Sequence, residues 1–253
     1  MKLKKCKILD VEVAVSDIKK ITYFLRKNIK NIKGQYICIS NVHTTVMAYE
    51  DCEYMKIQNG SLYTLADGKP LQIVSKMNGY KDAERITGPD LMEEIFKTSE
   101  ERGLTHYFYG STKETLDKLV AELKRKYPYL KIVGLHSPPF RQLTKEEDER
   151  IIEEINMKNP DFVWVGLGAP KQEVWMYEHK NSINSLMIGV GAGFDYHAGN
   201  IERAPIIMQK LCLEWLYRLM QDPKRLWRRY AIYNSKFIYY ILSTGLKKNK
   251  KVQ

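Results

Sequence analysis

The feature that most constrains this chain is a repeated exchange between two apolar patterns. Runs that are apolar at nearly every position, QYICIS (35–40), HYFYG (106–110), KIVGLHS (131–137), FVWVGLG (162–168) and LMIGVGAGF (186–194), alternate with longer segments apolar at every third or fourth residue. A strand that is apolar throughout has both faces buried. That happens when helices cover a parallel sheet on each side. KILDVEVAV (7–15) reads as a further strand, and SLYTLAD leads from another into Asp67-Gly68.

Helix signals fall between the runs. Ser16 caps a helix to about Ile32, with Ile18, Ile21, Phe24 and Leu25 on one face. Helical stretches follow from about Thr44 and from Asp67-Gly68 to about Met77, and Pro89 stands in the first turn of one reaching about Arg102. Ser111 or Thr112 opens a helix to about Lys126, Thr144 with Glu147 makes a capping box for one to about Met157, and Pro170 opens the next. The expected fold is α/β, a mostly parallel sheet with helices on both faces.

After Gly199 only helical patterns remain. Pro205 opens one helix, and Pro223 breaks it and opens another. The expected division is an α/β body over 1–199 and a helical appendage over 200–253. Charge divides at the same place. The net charge is +11, and from Arg203 onward 12 Lys and Arg face two acids, Glu214 and Asp222, so the body is nearly neutral. The appendage also holds eight of the 28 aromatic residues. Its longest apolar run, Phe237 to Leu242, is far too short to span a bilayer, and MKLKKCKILDVEV lacks the apolar stretch of a signal peptide. The expectation is a cytoplasmic chain whose tail lies on a membrane. Cys6, Cys38, Cys52 and Cys212 form no CxxC pair, and the histidines show no metal spacing, so neither a zinc site nor a disulfide framework is expected.

Ligands of open parallel sheets sit at the carboxyl ends of strands. Four loops there carry candidates. SNVHTTV offers the amide of Asn41 and the imidazole of His43, or simply a helix cap with a core histidine. LADGKPL offers Asp67, either a turn residue or a carboxylate placed to take a proton from a hydroxyl. GLGAPKQEVW runs a strand through Gly168 into a helix start suited to phosphate, with Lys171, Gln172 and Glu173 for charge and polar recognition. GVGAGFDYHAG brings Gly191 and Asp195 but lacks GxGxxG spacing, and no clear helix follows it.

ADGKPL, ERITGPDL, FYGS, PDFVWVGLGAPKQEVW, GVGAGFDYHAGNIERAP and LEWLYRLMQDPKRLWRRY, in this order, resemble the WecG/TagA/CpsF family of bacterial glycosyltransferases, glycosyltransferase family 26. The resemblance covers nearly the whole chain. It implies a Rossmann-like core and metal-independent, inverting transfer from a UDP-sugar to a polyprenyl-diphosphate-linked sugar, with no resident cofactor. It implies Asp67 as general base, Asn41 as a sugar contact and Arg85 as a partner for diphosphate. Gln172, Asp195 and the glycines beside it would line the UDP pocket, with Tyr109 and Gly110 toward the nucleoside. Arg218, Arg225 and Arg228 would close over the lipid diphosphate. The Thr of the family's T-x-N motif falls on Ile39, which leaves open whether Ser40 takes its place. The donor sugar would be N-acetylmannosamine or a uronic acid, and the acceptor N-acetylglucosamine on undecaprenyl diphosphate, at an anionic membrane surface.

Three other readings compete. Basic and aromatic interleaving also suits a nucleic-acid-binding protein. A nicotinamide-dependent oxidoreductase fits poorly without GxGxxG. Trp215, Leu216 and Leu219 at helical spacing also suit a homo-oligomer interface.

Overall fold

The computed structural model describes residues 2–211 and 213–250, and within them the apolar runs become one sheet of eight strands. In chain order these are β1 (Lys5–Ile8), β2 (Val11–Ala14), β3 (Tyr36–Ser40), β4 (Tyr63–Ala66), β5 (Thr105–Gly110), β6 (Lys131–His136), β7 (Phe162–Gly166) and β8 (Leu186–Gly189). Across the sheet they lie β1-β2-β4-β3-β8-β7-β5-β6, and every pair except β1–β2 is parallel. The helices of the body are α1 (Ile18–Asn28), α2 (Val42–Glu50), α3 (Cys52–Asn59), α4 (Lys69–Met77), α5 (Gly88–Arg102), α6 (Lys113–Lys126), α7 (Lys145–Lys158), α8 (Lys171–Glu178) and α9 (Gly193–His197).

The unbroken apolarity of the strands follows from their two covered faces. Ile37 and Ile39 of β3, with Phe162 and Trp164 of β7, pack under α1, α5 and α6. The alternate residues Tyr36, Cys38, Val163 and Val165 pack on the opposite side with Ile155 of α7 and Met176 of α8. The period of two simply divides one apolar run between two cores.

Three expectations change. Residues 7–15 form a hairpin, β1 and β2, instead of one strand. Its turn residues Leu9 and Asp10 both have left-handed backbone, at φ 47° and 63°, and Leu there gives no turn signal. The cap of α1 is Asp17 and not Ser16, its carboxylate accepting from the Lys20 amide at 2.7 Å, whereas the helix-cap reading of SNVHTTV holds, with Asn41 as the cap of α2. A helix does follow GVGAG, the five-residue α9.

The expected helix after Pro205 is two, α10 (Ile206–Lys210) and α11 (Glu214–Gln221), before α12 (Pro223–Lys250). The inward side of α12 packs on the body. Phe237 is buried with Val46 of α2 and Leu71 of α4, and Glu50 accepts from Lys236 at 2.8 Å and from the Tyr240 hydroxyl at 2.7 Å. Among the described residues no helix is long and apolar enough to cross a membrane. Cys6, Cys38 and Cys52 are free thiols; Cys212 lies outside the described residues.

Candidate active site

The strand order sets the site. The predicted loops leave the carboxyl ends of β4 (Asp67), β3 (Asn41), β8 (Gly191), β7 (Gly168 and Lys171) and β5 (Gly110), which are consecutive neighbours. At about 4.8 Å per strand, the β4 and β7 loops stand about 14 Å apart along one edge. That span suits an extended ligand with chemistry at one end.

Asp67 follows directly on β4. Its amide donates to Ser40 O of β3 at 2.7 Å, which locks the two strand ends together. Gly68 turns the chain at φ 98°, a conformation that favours glycine, and Pro70 stands in the first turn of α4. Residues 84–86 return alongside: the Ile86 amide donates to Ala66 O at 2.8 Å and Glu84 N to Ser16 O at 3.1 Å. This return delivers Arg85 beside Asp67. Burial pushes the Asp67 carboxyl up to about 6, and Glu214 and Asp90 push the same way, while the charges of Arg85 and Arg218 pull it down.

Arg85 is held from three sides. It pairs with Glu214 of α11, donates to Gln209 Oε1 of α10 at 3.4 Å, and has Asp90 at 4.0 Å. The appendage therefore reaches Arg85, next to Asp67, through an acid that the sequence did not single out.

Asn41 caps α2 and also lines a cavity. Its Oδ1 accepts from the Thr44 amide at 3.3 Å, while Thr44 Oγ1 accepts from the Asn41 amide at 2.9 Å. No described residue takes its Nδ2 hydrogens. The Ser40 hydroxyl is buried and shared with Thr44 at 2.8 Å and Thr45 at 3.2 Å, so it is occupied by the helix start. His43, one turn on, packs edge-on against Tyr233 of α12 at 4.3 Å between ring centres. Burial, helped by the charge of Arg229, lowers it to about 4, so at neutral pH it is uncharged.

A cavity of about 840 Å³ opens between the body and the appendage. Asp67, Asn41, Arg85, Glu214, Arg218 and Arg229 provide its polar lining. Ile73 and Val74 of α4 and Trp215, Leu219, Trp227 and Ile238 of the appendage provide much of an apolar one. The three residues expected to be catalytic thus line one cavity.

The remaining candidates fall elsewhere along the edge. Gln172 is buried and spans two loops: its Nε2 donates to Glu173 at 2.8 Å and its Oε1 accepts from the Gly191 amide at 2.9 Å. Glu173 points inward, where the Tyr54 hydroxyl donates to it at 3.2 Å, and burial raises its pKa. Tyr109 is buried too, stacked on Trp175 at 4.3 Å. These two side chains support the loops from beneath and do not face the cavity. Gly110, at φ 119°, lies so close to β7 that a Cβ would come within 2.7 Å of the Gly166 carbonyl carbon. Gly168, at φ 78°, has open space, and Lys171 is exposed. Asp195 accepts from Asn200 at 3.1 Å.

The three appendage arginines separate. Arg218 lines the large cavity and lies over the Tyr196 ring at 5.6 Å. Arg225 pairs with Asp222 at 2.6 Å and lines a smaller neighbouring cavity, also bordered by Arg218, while Arg228 lies over the exposed Trp227. Glu214, Tyr196 and Arg229 escaped the sequence reading. Helical spacing could have separated Arg229 from Arg228, since Leu226, Arg229, Tyr230, Tyr233 and Phe237 share one side of α12. Among the described residues no cluster of three His, Cys, Asp or Glu side chains offers a metal site.

A mostly parallel sheet with polar residues gathered at its carboxyl edge, joined by a docked helical appendage, is the architecture of an α/β enzyme. The profile of the Glycosyl transferase WecG/TagA/CpsF family matches residues 6–251, and the chain belongs to that family and is a glycosyltransferase. The family match favours the glycosyltransferase reading over the nucleic-acid-binding and oxidoreductase ones. Among similar proteins is the N-acetylglucosaminyldiphosphoundecaprenol N-acetyl-beta-D-mannosaminyltransferase of Staphylococcus aureus (strain MW2), 30% identical over 233 residues, 92% of this chain and 87% of that one. A protein of the same name from Bacillus spizizenii is 29% identical over 198 residues, 78% of this chain and 75% of that one.

Proposed function

We propose that this glycosyltransferase moves an N-acetylmannosamine-type sugar, or its uronic acid, from a UDP-sugar to N-acetylglucosamine on undecaprenyl diphosphate, with inversion and without a metal ion, in the synthesis of a cell-surface polysaccharide or teichoic acid. The relatives' names support the sugar and the acceptor. The observation that carries the mechanism is Asp67, held at about 6 in the polar part of a cavity whose other wall is apolar.

At neutral pH such a carboxylate is mostly ionised and still basic enough to accept a proton in the transition state. Asp67 takes the proton of the acceptor hydroxyl as that oxygen attacks the anomeric carbon. The bond from that carbon to the β-phosphate oxygen breaks, and UDP leaves with the electron pair. One carboxylate suffices because the displacement is single and inverting. The Nδ2 of Asn41 is available to hold a sugar oxygen. Arg85 and Arg218 are the guanidiniums that would meet diphosphate charge, and the loops at Gly168, Lys171 and Gly191 would take the nucleotide.

The same reading seats the appendage on the inner face of the cell membrane. Ile206 and Ile207 of α10 and Ile238, Tyr239 and Leu242 of α12 are exposed beside the basic residues. Aromatic and aliphatic side chains suit the bilayer interface, and each adjacent Lys or Arg contributes about 1 kcal/mol on an anionic surface. Arg225 and Arg228 stand where headgroups would lie.

The test is UDP release from UDP-N-acetylmannosamine with a synthetic lipid-diphosphate N-acetylglucosamine acceptor, in EDTA, for the wild type and Asp67→Ala. Acceptor-dependent release that EDTA spares and the substitution abolishes is the expected result. Binding of UDP without release refutes the donor or acceptor assignment; absence of UDP binding refutes the reading as a whole.

A further inference from the structure

We propose that Arg229, which the family resemblance did not single out, joins Arg218 in gripping the diphosphate of the acceptor lipid. The inference rests on the acceptor reading above and adds a residue to it.

Its position makes the case. Arg229 shares the inward side of α12 with Leu226 and Phe237, which are 3% and 5% exposed. A packed helix face ordinarily carries apolar residues, because a buried unpaired cation loses hydration that nothing returns. Arg229 sits there with its Nε enclosed and without a partner, and among the described residues no carboxylate pairs with its guanidinium. The neighbouring cations are differently placed: Arg85 has Glu214, Arg203 has Asp90 at 2.6 Å, Arg225 has Asp222 and Lys236 has Glu50. Arg218 and Arg229 are the two cavity-lining arginines that form no ion pair with a described acid, although Asp67 acts on both through space.

A second enclosed, unpartnered polar atom lies on the facing element. His43 Nδ1 on α2 has no hydrogen-bond partner. Two unsatisfied groups, one from the body and one from the appendage, line the same cavity, and each costs stability until a ligand meets it. A planar guanidinium fits the paired oxygens of a phosphate, and two unmatched guanidiniums fit the charge of a diphosphate. UDP carries the same group. The apolar wall formed by Leu219, Trp227 and Ile238 favours a lipid diphosphate over a nucleotide at this position.

The experiment titrates the full-length protein with farnesyl diphosphate, farnesol and UDP, following fluorescence of Trp215 and Trp227 or heat. The proteins are wild type, Arg229→Gln, Arg229→Lys and, as a surface-charge control, Arg125→Gln. Thermal melts check folding, and the transfer assay runs in parallel. We expect Arg229→Gln to weaken farnesyl diphosphate at least tenfold and Arg229→Lys severalfold, with farnesol and UDP unchanged and Arg125→Gln like wild type. Equal farnesyl diphosphate binding in wild type and both Arg229 variants overturns the proposal. So does a parallel loss for farnesol, a loss confined to UDP, or no binding by the wild type. Wild-type turnover with an unchanged acceptor KM in the Arg229 variants overturns Arg229 and leaves the transferase reading standing. Arg229-dependent binding without turnover on any UDP-sugar does the reverse.

Discussion

Replacing Asp67 by Asn should abolish transfer and at the same time make the protein more stable at neutral and alkaline pH. The carboxyl is raised from 3.8 to about 6, chiefly by burial. A raised folded-state value means that the folded protein holds the proton more tightly than the unfolded chain. Ionisation therefore works against folding as pH climbs from about 4 to about 6, and the full penalty stands above that window. A shift of about two units corresponds to about 3 kcal/mol, and the partial exposure of Asp67 reduces this to about 1–3 kcal/mol. Asn has nearly the same shape and never ionises, so it escapes the penalty. For a chain of this size, each kcal/mol moves the melting temperature by about 2–4 °C. Urea or thermal unfolding of wild type and Asp67→Asn from pH 4 to 8, beside the UDP-release assay, measures both effects. The variant's advantage should be near zero at pH 4 and fully developed by pH 7. A variant equal to or less stable than wild type at pH 8, or an advantage that does not change with pH, would refute the electrostatic account of Asp67.

Glu214→Gln removes a negative charge that raises Asp67 and releases Arg85 to lower it, so the acid limb of the pH–rate profile should move to lower pH; a limb that stays or rises contradicts the coupling. Gly110→Ala puts a Cβ 2.7 Å from the Gly166 carbonyl carbon with the backbone at φ 119°, and should cost about 3 kcal/mol or more in urea unfolding. Phe237→Ala empties the contact between α12 and the body, so trypsin should clip the appendage early while the α/β body stays resistant; uniform digestion of the whole chain would show that the two units unfold together. Gln172→Ala removes the acceptor of the Gly191 amide and a donor to buried Glu173, and should raise the KM for the UDP-sugar severalfold while leaving acceptor binding alone.

Much of the local chemistry that depends on neighbours in sequence was legible. Thr144 and Glu147 form the expected capping box, and Thr112 caps α6 as its hydroxyl allows. Pro170 precedes α8, and Asp67 stands at a strand end because the apolar run stops and Gly68 follows. The hairpin at Leu9-Asp10 was hidden because its left-handed turn uses no Asn or Gly. The break between α10 and α11 was hidden because the apolar spacing runs through it without a proline.

By itself the sequence determined the kinds of element, the doubly covered sheet, the neutral body with its basic aromatic tail, and the family. Each of these follows from residue type at short range or from the order of motifs. Only the tertiary structure decided which motifs meet. The strand order set the loops of β4, β3, β8, β7 and β5 side by side, although they are scattered along the chain. Arg85 found Glu214 across 129 residues of sequence, and that contact, with burial, sets the basicity of Asp67. Among four clustered arginines, the docking of α12 turned Arg229 inward and left Arg228 outside. Spacing along a helix says which side chains share a face, but packing against the body decides which face is buried, and burial gives a charge its chemistry.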